Sequence, residues 1–159
     1  MATTADSRTP ARLRSTPSWL LTHVATHANR LVGEAFHASY PRRYHFSLLA
    51  ALEEFGPASQ AELGRRCEID RSYIVETVND LADRDFVVRA PDPADRRRNT
   101  ITITEAGVRE LHRIAQQLDV IQDALLAPLT TEERGQLTAL LGRLLDHHAH
   151  QREEGPSWP

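Results

Sequence analysis

The side chains in this sequence that are equipped for chemistry fall into three groups. The first is guanidinium: Arg96, Arg97 and Arg98 follow Asp92, Pro93, Ala94 and Asp95, with Arg89 just upstream. These four arginines against two aspartates leave a local positive excess in a chain whose formal net charge is −3. On a stiff projection, arginine suits the narrow, electronegative minor groove of a DNA duplex. On an ordinary loop the same run is a solvated face. The second group is imidazole. His23 and His27 stand one helical turn apart, and His147, His148 and His150 cluster further on. A helical His pair can ligate zinc, yet no Cys or carboxylate stands where it completes a tetrahedron in either group. No metal is therefore expected, and a zinc-responsive protein is kept as an alternative. The third group is a single thiol, Cys67, on the inward side of a short helix, where inert packing is expected rather than peroxide chemistry. With no Gly-rich phosphate loop, no Gly-x-Ser-x-Gly elbow and no His-Glu-x-x-His, neither an enzyme nor a cofactor is expected.

Composition narrows the partner. Of 159 residues, 40% are apolar and 26% charged, and all 19 basic residues are arginine. The net negative balance excludes a uniformly basic nucleic-acid binder, so any grip on phosphate must come from a local patch. No window approaches the ~18 apolar residues of a spanning helix, and residues 1–18 lack the apolar core of a secretory signal. One cysteine precludes an intrachain disulfide framework, and a cytoplasmic protein is expected.

The elements that must position these groups are legible in the spacing. Residues 1–17 carry Arg8, Arg12 and Arg14 without apolar periodicity and are expected to form a flexible basic arm. A helix is expected from Ser18. Its Leu20, Leu21, Val24, Ala28, Leu31, Val32 and Phe36 share one arc, with Trp19, His23, His27, Arg30 and Glu34 opposite. An indole left in water forfeits about 2–3 kcal/mol, so that second face is expected to meet a ligand or another chain. A helix over 45–55 ends at Gly56-Pro57. Ser59-Gln60-Ala61-Glu62 reads as a capping box opening a short helix to Cys67, and Asp70 as the N-cap of a second helix running to about Arg84. Two short helices joined by a tight turn form a helix-turn-helix. Two β-rich runs, Phe86–Arg89 and Thr100–Ile103, flank the arginine cluster and predict a hairpin with a long charged tip.

Thr104 is expected to cap a further helix, whose Leu111, Ile114, Leu118, Ile121 and Leu125 form a heptad-like seam ended by Pro128. Thr130-Thr131-Glu132-Glu133 reads as another capping box, before a helix carrying Leu137, Leu140, Leu141, Leu144 and Leu145. These helices carry more leucine than the intervening domain needs, which predicts a helical homodimer interface. The expected fold is mainly α with a small β-hairpin wing. A helix-turn-helix lobe over 41–103 lies between dimerisation helices over 18–40 and 104–150, with a flexible tail over 151–159.

A helix-turn-helix lays the start of its second helix in the major groove, where Arg71, Ser72, Tyr73, Glu76 and Thr77 are expected to meet bases or phosphates. Ile74, Val75, Val78, Leu81 and Ala82 are expected on the docked arc. Glu76, Asp80 and Asp83 put negative charge on the presumed reading face, so a protein-interaction module without DNA binding stands as a further alternative.

Four stretches carry a resemblance: Leu63–Ser72, Leu81–Arg89, Asp92–Arg97 and Thr102–Gly107. Over about residues 19–148 the chain resembles the MarR family of bacterial winged helix-turn-helix regulators. That resemblance implies an obligate homodimer on a pseudopalindromic DNA operator, most often as a repressor released by a small aromatic or anionic effector. It implies that Asp95 orients the wing and that Arg97 enters the minor groove; Arg96 and Arg98, in the same charged tip, are expected to contact DNA beside it. It also implies a ligand cavity between dimerisation helices and DNA-binding lobe, lined by Trp19, His23, His27 and His45, with Arg30 or Arg89 countering a carboxylate. Peroxide-sensing members carry their reactive cysteine in the first helix, which here has none. Asp85 stands where the family usually has Gly, a substitution that the left-handed tolerance of Asp accommodates.

Overall fold

In the computed structural model, residues 9–36, 42–91 and 99–154 are described. The helices are α1 (Ala11–Arg14), α2 (Pro17–Ala35), α3 (Arg42–Phe55), α4 (Gln60–Arg66), α5 (Arg71–Asp83), α6 (Glu105–Leu125) and α7 (Thr131–Glu154). The strands are β1 (Ala58–Ser59), β2 (Val87–Pro91) and β3 (Asn99–Ile103). The chain divides into two units, one up to Ile121 and one from Gln122, with α6 running through the division. Among the described residues no helix is long and apolar enough to cross a membrane.

In the first unit, the lobe is organised by one apolar cluster. Leu48, Leu49 and Leu52 of α3 meet Leu63 of α4, Ile74, Val78 and Leu81 of α5, Val87 and Ile101 of the sheet and Leu111 of α6. Leu48, Leu49, Leu63 and Leu81 are completely buried, each contributing roughly 1.5–3 kcal/mol of transfer free energy. A second cluster joins Phe36 beyond α2 to Ile114 and Ile121 of α6, with Leu31, Val32 and Leu118 packed against it. The heptad-like seam is therefore real, and its first part is consumed within the chain: Leu111 by the lobe core, Ile114 and Ile121 by the end of α2.

The sheet has the order β1-β3-β2, antiparallel throughout, with Ala58 opposite Ile101 and Arg89 opposite Ile101 on the other side. The two-residue β1 was not expected, because a strand so short has no alternation to read. Ser59 closes β1 and also caps α4, its hydroxyl accepting the Glu62 N–H at 3.3 Å. The Glu62 carboxylate turns instead to Arg66, 3.0 Å away, so only half of that capping box forms.

Other boundaries move by a turn. Residues 11–14 of the expected arm form α1, and α2 opens on Pro17, whose fixed φ and missing N–H suit the first helical position. α3 starts at Arg42, and α7 continues to Glu154, into the stretch expected as tail.

Between α5 and α6 the chain is tied in a compact knot. Asp85 adopts φ 59°, the left-handed conformation expected of it. Thr104 caps α6 as expected: its Oγ1 accepts from Gly107 N at 3.0 Å and donates to Asp85 O at 2.7 Å, while its own N–H donates to Phe86 O at 3.0 Å.

In the second unit, the capping box before α7 forms completely, Thr130 N donating to Glu133 Oε2 at 2.8 Å and Glu133 N to Thr130 Oγ1 at 3.3 Å. The bonds from Thr130 hold the Glu133 carboxyl below the usual carboxylate range. Because the folded-state pKa is the lower one, this contribution to α7 is present at neutral pH and is lost as pH falls through the depressed value. Arg134 ties the start of α7 to the last turn of α6 through Asp123 Oδ1 at 2.6 Å.

Candidate nucleic-acid interface

The turn before α5 is tight because Glu68 adopts φ 51° and Ile69 N donates to Gly64 O at 2.9 Å. Buried Ile69 pins the turn to the core. Asp70 is the N-cap in position only. Its backbone precedes the helix, but its side chain makes no cap bond.

α5 then sorts its residues by angle. Ile74, Thr77, Val78 and Leu81 are buried, and Arg71, Ser72, Val75, Glu76, Asn79 and Asp83 are exposed on the opposite arc. This corrects two expectations. Thr77, expected to read bases, is 2% exposed, and its hydroxyl donates to Tyr73 O at 2.7 Å. Val75, expected on the docked arc, stands in the exposed one. Tyr73 is half-buried against the core and stacks on Tyr44, with ring centroids 5.9 Å apart, leaving Arg71, Ser72 and Glu76 of the expected set freely presented.

The acidic residues do less harm than their number suggests. Asp80 is turned toward the flank of α5, where its Oδ2 lies 2.8 Å from His45 Nε2 and 2.9 Å from Arg84 Nε. One carboxylate thus joins α5 to α3 and is matched by a guanidinium, which removes it from the reading face. Asn79, on that face, accepts a short hydrogen bond from Arg89 of β2, so the recognition helix and the wing strand are fastened to each other by side chains. Asn79 stands outward, as the helical period places it, though it was not among the residues expected to meet bases; of the two, only the exposure of Val75 departs from expectation.

β2 and β3 pair as the hairpin expected, with Val87 opposite Ile103 at its open end and Pro91 opposite Asn99 at the other. Asp95, Arg96, Arg97 and Arg98 lie outside the described residues.

The residues expected around an effector fall into three separate settings. On α2, Trp19 stacks on His23 with centroids 3.8 Å apart and planes 24° from parallel, and His23 Nδ1 lies 2.8 Å from Trp19 O. His27 is exposed on the same helix, and Arg30 pairs with Glu34 at 3.4 Å. His45 is buried beside Asp80, and Arg89 is bonded to Asn79 on the wing, so both are occupied within the lobe. Among the described residues no group of three or more His, Cys, Asp or Glu could hold a metal ion.

Cys67 is half-buried and packed on the core, its thiol donating to Ser47 O at 3.4 Å. Burial pushes its pKa up, more than the neighbouring Arg66 pulls it down. The thiolate is the reactive species, so iodoacetamide is expected to modify Cys67 far more slowly in the folded protein than after denaturation. Rapid labelling of the folded chain is the contrary result.

Comparison with known proteins places this geometry. The family model for the MarR family matches residues 40–98. The transcriptional repressor NicR of Pseudomonas putida is 34% identical over 101 residues, 64% of this chain and 64% of NicR. The chain therefore spans just under two thirds of NicR's own length. The uncharacterized HTH-type transcriptional regulator YxaD of Bacillus subtilis is 30% identical over 102 residues, 64% of this chain and 71% of YxaD. Among solved structures, the PcaV transcriptional regulator of Streptomyces coelicolor, determined in complex with its natural ligand, superposes with a TM-score of 0.69 at 26% identity, covering 87% of this chain and 97% of PcaV.

Proposed function

Since the chain belongs to the MarR family of transcriptional regulators, we propose that it works as a cytoplasmic homodimer that binds a pseudopalindromic operator and represses transcription until a small ligand releases it. The observation that carries the reading is the sorting of α5. Arg71, Ser72, Glu76 and Asn79 are presented outward from a helix whose opposite face is locked into the core by Ile74, Val78 and Leu81. A rigidly held helix with hydrogen-bonding side chains along one arc, next to a hairpin, is what major-groove recognition requires. Two such helices, related by the dimer axis, enter successive major grooves about 34 Å apart. Arg97, with Asp95 orienting the wing and Arg96 and Arg98 beside it, grips the flanking minor groove.

Ligand control is supported by the Trp19–His23 stack, an aromatic platform on α2 that suits an aromatic acid, with His27 and Arg30 on the same helix. PcaV has a natural ligand and NicR is named a repressor, and both properties are extended here to this chain. A ligand that binds better to a dimer with wrongly spaced recognition helices lowers DNA affinity by the difference in its binding free energy between the two states.

The test is selection of bound duplexes from a random pool, repeated with Arg97→Ala. The expected product is a pseudopalindrome whose affinity falls steeply with salt and weakens about tenfold or more in the variant, a loss of one minor-groove arginine per half-site. Enrichment of no common sequence overturns the reading.

A further inference from the structure

One residue of the recognition arc has no role in what precedes. α5 carries Ile74, Val78 and Leu81 in the core, yet Val75 is 43% exposed. Single exposed apolar residues are ordinary on protein surfaces. What separates Val75 is its company. It stands one turn from Arg71 on one side and from Asn79 on the other, so it is the one apolar residue among the exposed positions of α5, on the flank of an otherwise polar arc. Valine is also a poor choice for an exposed helical position on propensity alone, because its β-branch restricts χ1. Neither core packing nor helix formation explains it.

The major groove offers one apolar feature, the C5-methyl group of thymine, and a short branched hydrocarbon side chain is suited to meet it. The neighbours of Val75 fix where that contact falls. Arg71 and Ser72 sit in the first turn of α5, nearest to phosphate or base edges, and Asn79 is fastened to Arg89 of β2. The helix is therefore tied to the wing strand at the Asn79 end and held to the core by Ile74, Val78 and Leu81, which fixes where Val75 meets the groove floor.

We propose that Val75 is a specificity-determining residue that packs on the methyl group of one thymine in each operator half-site. The inference rests on the regulator reading above and adds to it the identity of one base. The experiment uses the full chain and the selected operator, with each thymine replaced in turn by deoxyuridine, which removes only the methyl group. The expected result is one position per half-site at which the replacement weakens binding by about fourfold, the size of one lost methyl burial, and by about fifteenfold when both half-sites are changed. Val75→Ala is expected to bind the thymine and deoxyuridine duplexes equally at that position, and Val75→Ile to recover the preference. Because Val75 is exposed, neither variant should lose folding stability, and Val75→Ala, with the better helix former, should unfold slightly above the wild-type temperature. Equal wild-type affinity for every deoxyuridine duplex, or an undiminished preference in Val75→Ala, overturns the assignment while leaving operator binding intact. A pool from which no sequence is enriched removes the regulator reading and this assignment with it.

Discussion

Gly107→Ala is expected to destabilise the lobe by about 3 kcal/mol or more, at the upper end of what overpacking costs, and to lower Tm by more than about 10 °C. A Cβ added at Gly107 would lie 2.1 Å from Phe86 O and 2.8 Å from Ile103 Cγ1. Ile103 can rotate away, but the carbonyl is not free to move. Phe86 O accepts the Thr104 N–H, and Thr104 in turn caps α6 and bonds Asp85 O in its left-handed turn. Relieving the clash therefore means unpicking the link between α5, β2 and α6 together. Since β2 begins at Val87, directly after Phe86, the variant should also lose duplex affinity at temperatures where it remains folded. Gly135→Ala is the internal control. Nothing lies within 4 Å of a Cβ at Gly135, which sits within α7, so that substitution should gain about 0.5–1 kcal/mol from helix propensity. Urea unfolding of both variants checks the pair. Wild-type stability in Gly107→Ala would mean that the close approach of α6 to Phe86 is absent.

The contrast between what could and could not be read in advance follows the range of the interactions. Thr130–Glu133, Thr104–Gly107 and the left-handed Asp85 are encoded over three or four residues, and all three form as expected. The helix-turn-helix and its core leucines are set by the helical period, and they too were legible. The errors on α5 came from letting residue type override angle. From the buried direction set by Ile74, Val78 and Leu81, Thr77 lies about 70° away and Val75 about 90°, so the period favours burying the threonine. A hydroxyl can be buried because it bonds back to its own helix, as Thr77 does to Tyr73 O.

The remaining misses are long-range. The contact of His45 with Asp80 spans α3 and α5, and the bond of Arg89 to Asn79 spans α5 and β2. No local pattern announces either. Both remove from the expected effector set a residue that is spent on positioning the recognition helix. The two-residue β1 belongs to the same class, since its existence depends on the edge that β3 offers it.

A chain carrying Leu141→Glu together with Leu144→Glu is expected to sediment as a monomer and to lose about 10²–10⁴-fold in affinity for a full operator, approaching its affinity for an isolated half-site. α7 carries Leu137, Leu140, Leu141, Leu144 and Leu145 at the spacing of a single apolar stripe, and the last four are 40–68% exposed. Each leucine buried against a second chain contributes roughly 1.5–3 kcal/mol, so this stripe alone is a substantial part of a stable interface. The seam of α6 offers less, because its Ile114 and Ile121 are already buried within the protomer. Leu20, Leu21 and Val24 of α2 are also exposed, on one side of that helix. Two glutamates per protomer would place four carboxylates in the apolar contact, a desolvation cost that paired leucines cannot offset. Ala139→Glu, exposed on the opposite side of α7, adds the same charge without entering the stripe and should leave the dimer intact. The affinity loss follows from geometry rather than from any lost DNA contact. In the proposed dimer, the second recognition helix is delivered to its groove at high effective concentration only while the two chains are joined. Sedimentation velocity and titration of full-site and half-site duplexes check both parts. A doubly substituted chain that remains dimeric would place the interface elsewhere, and a monomer that kept full-site affinity would show that operator recognition does not need the pair.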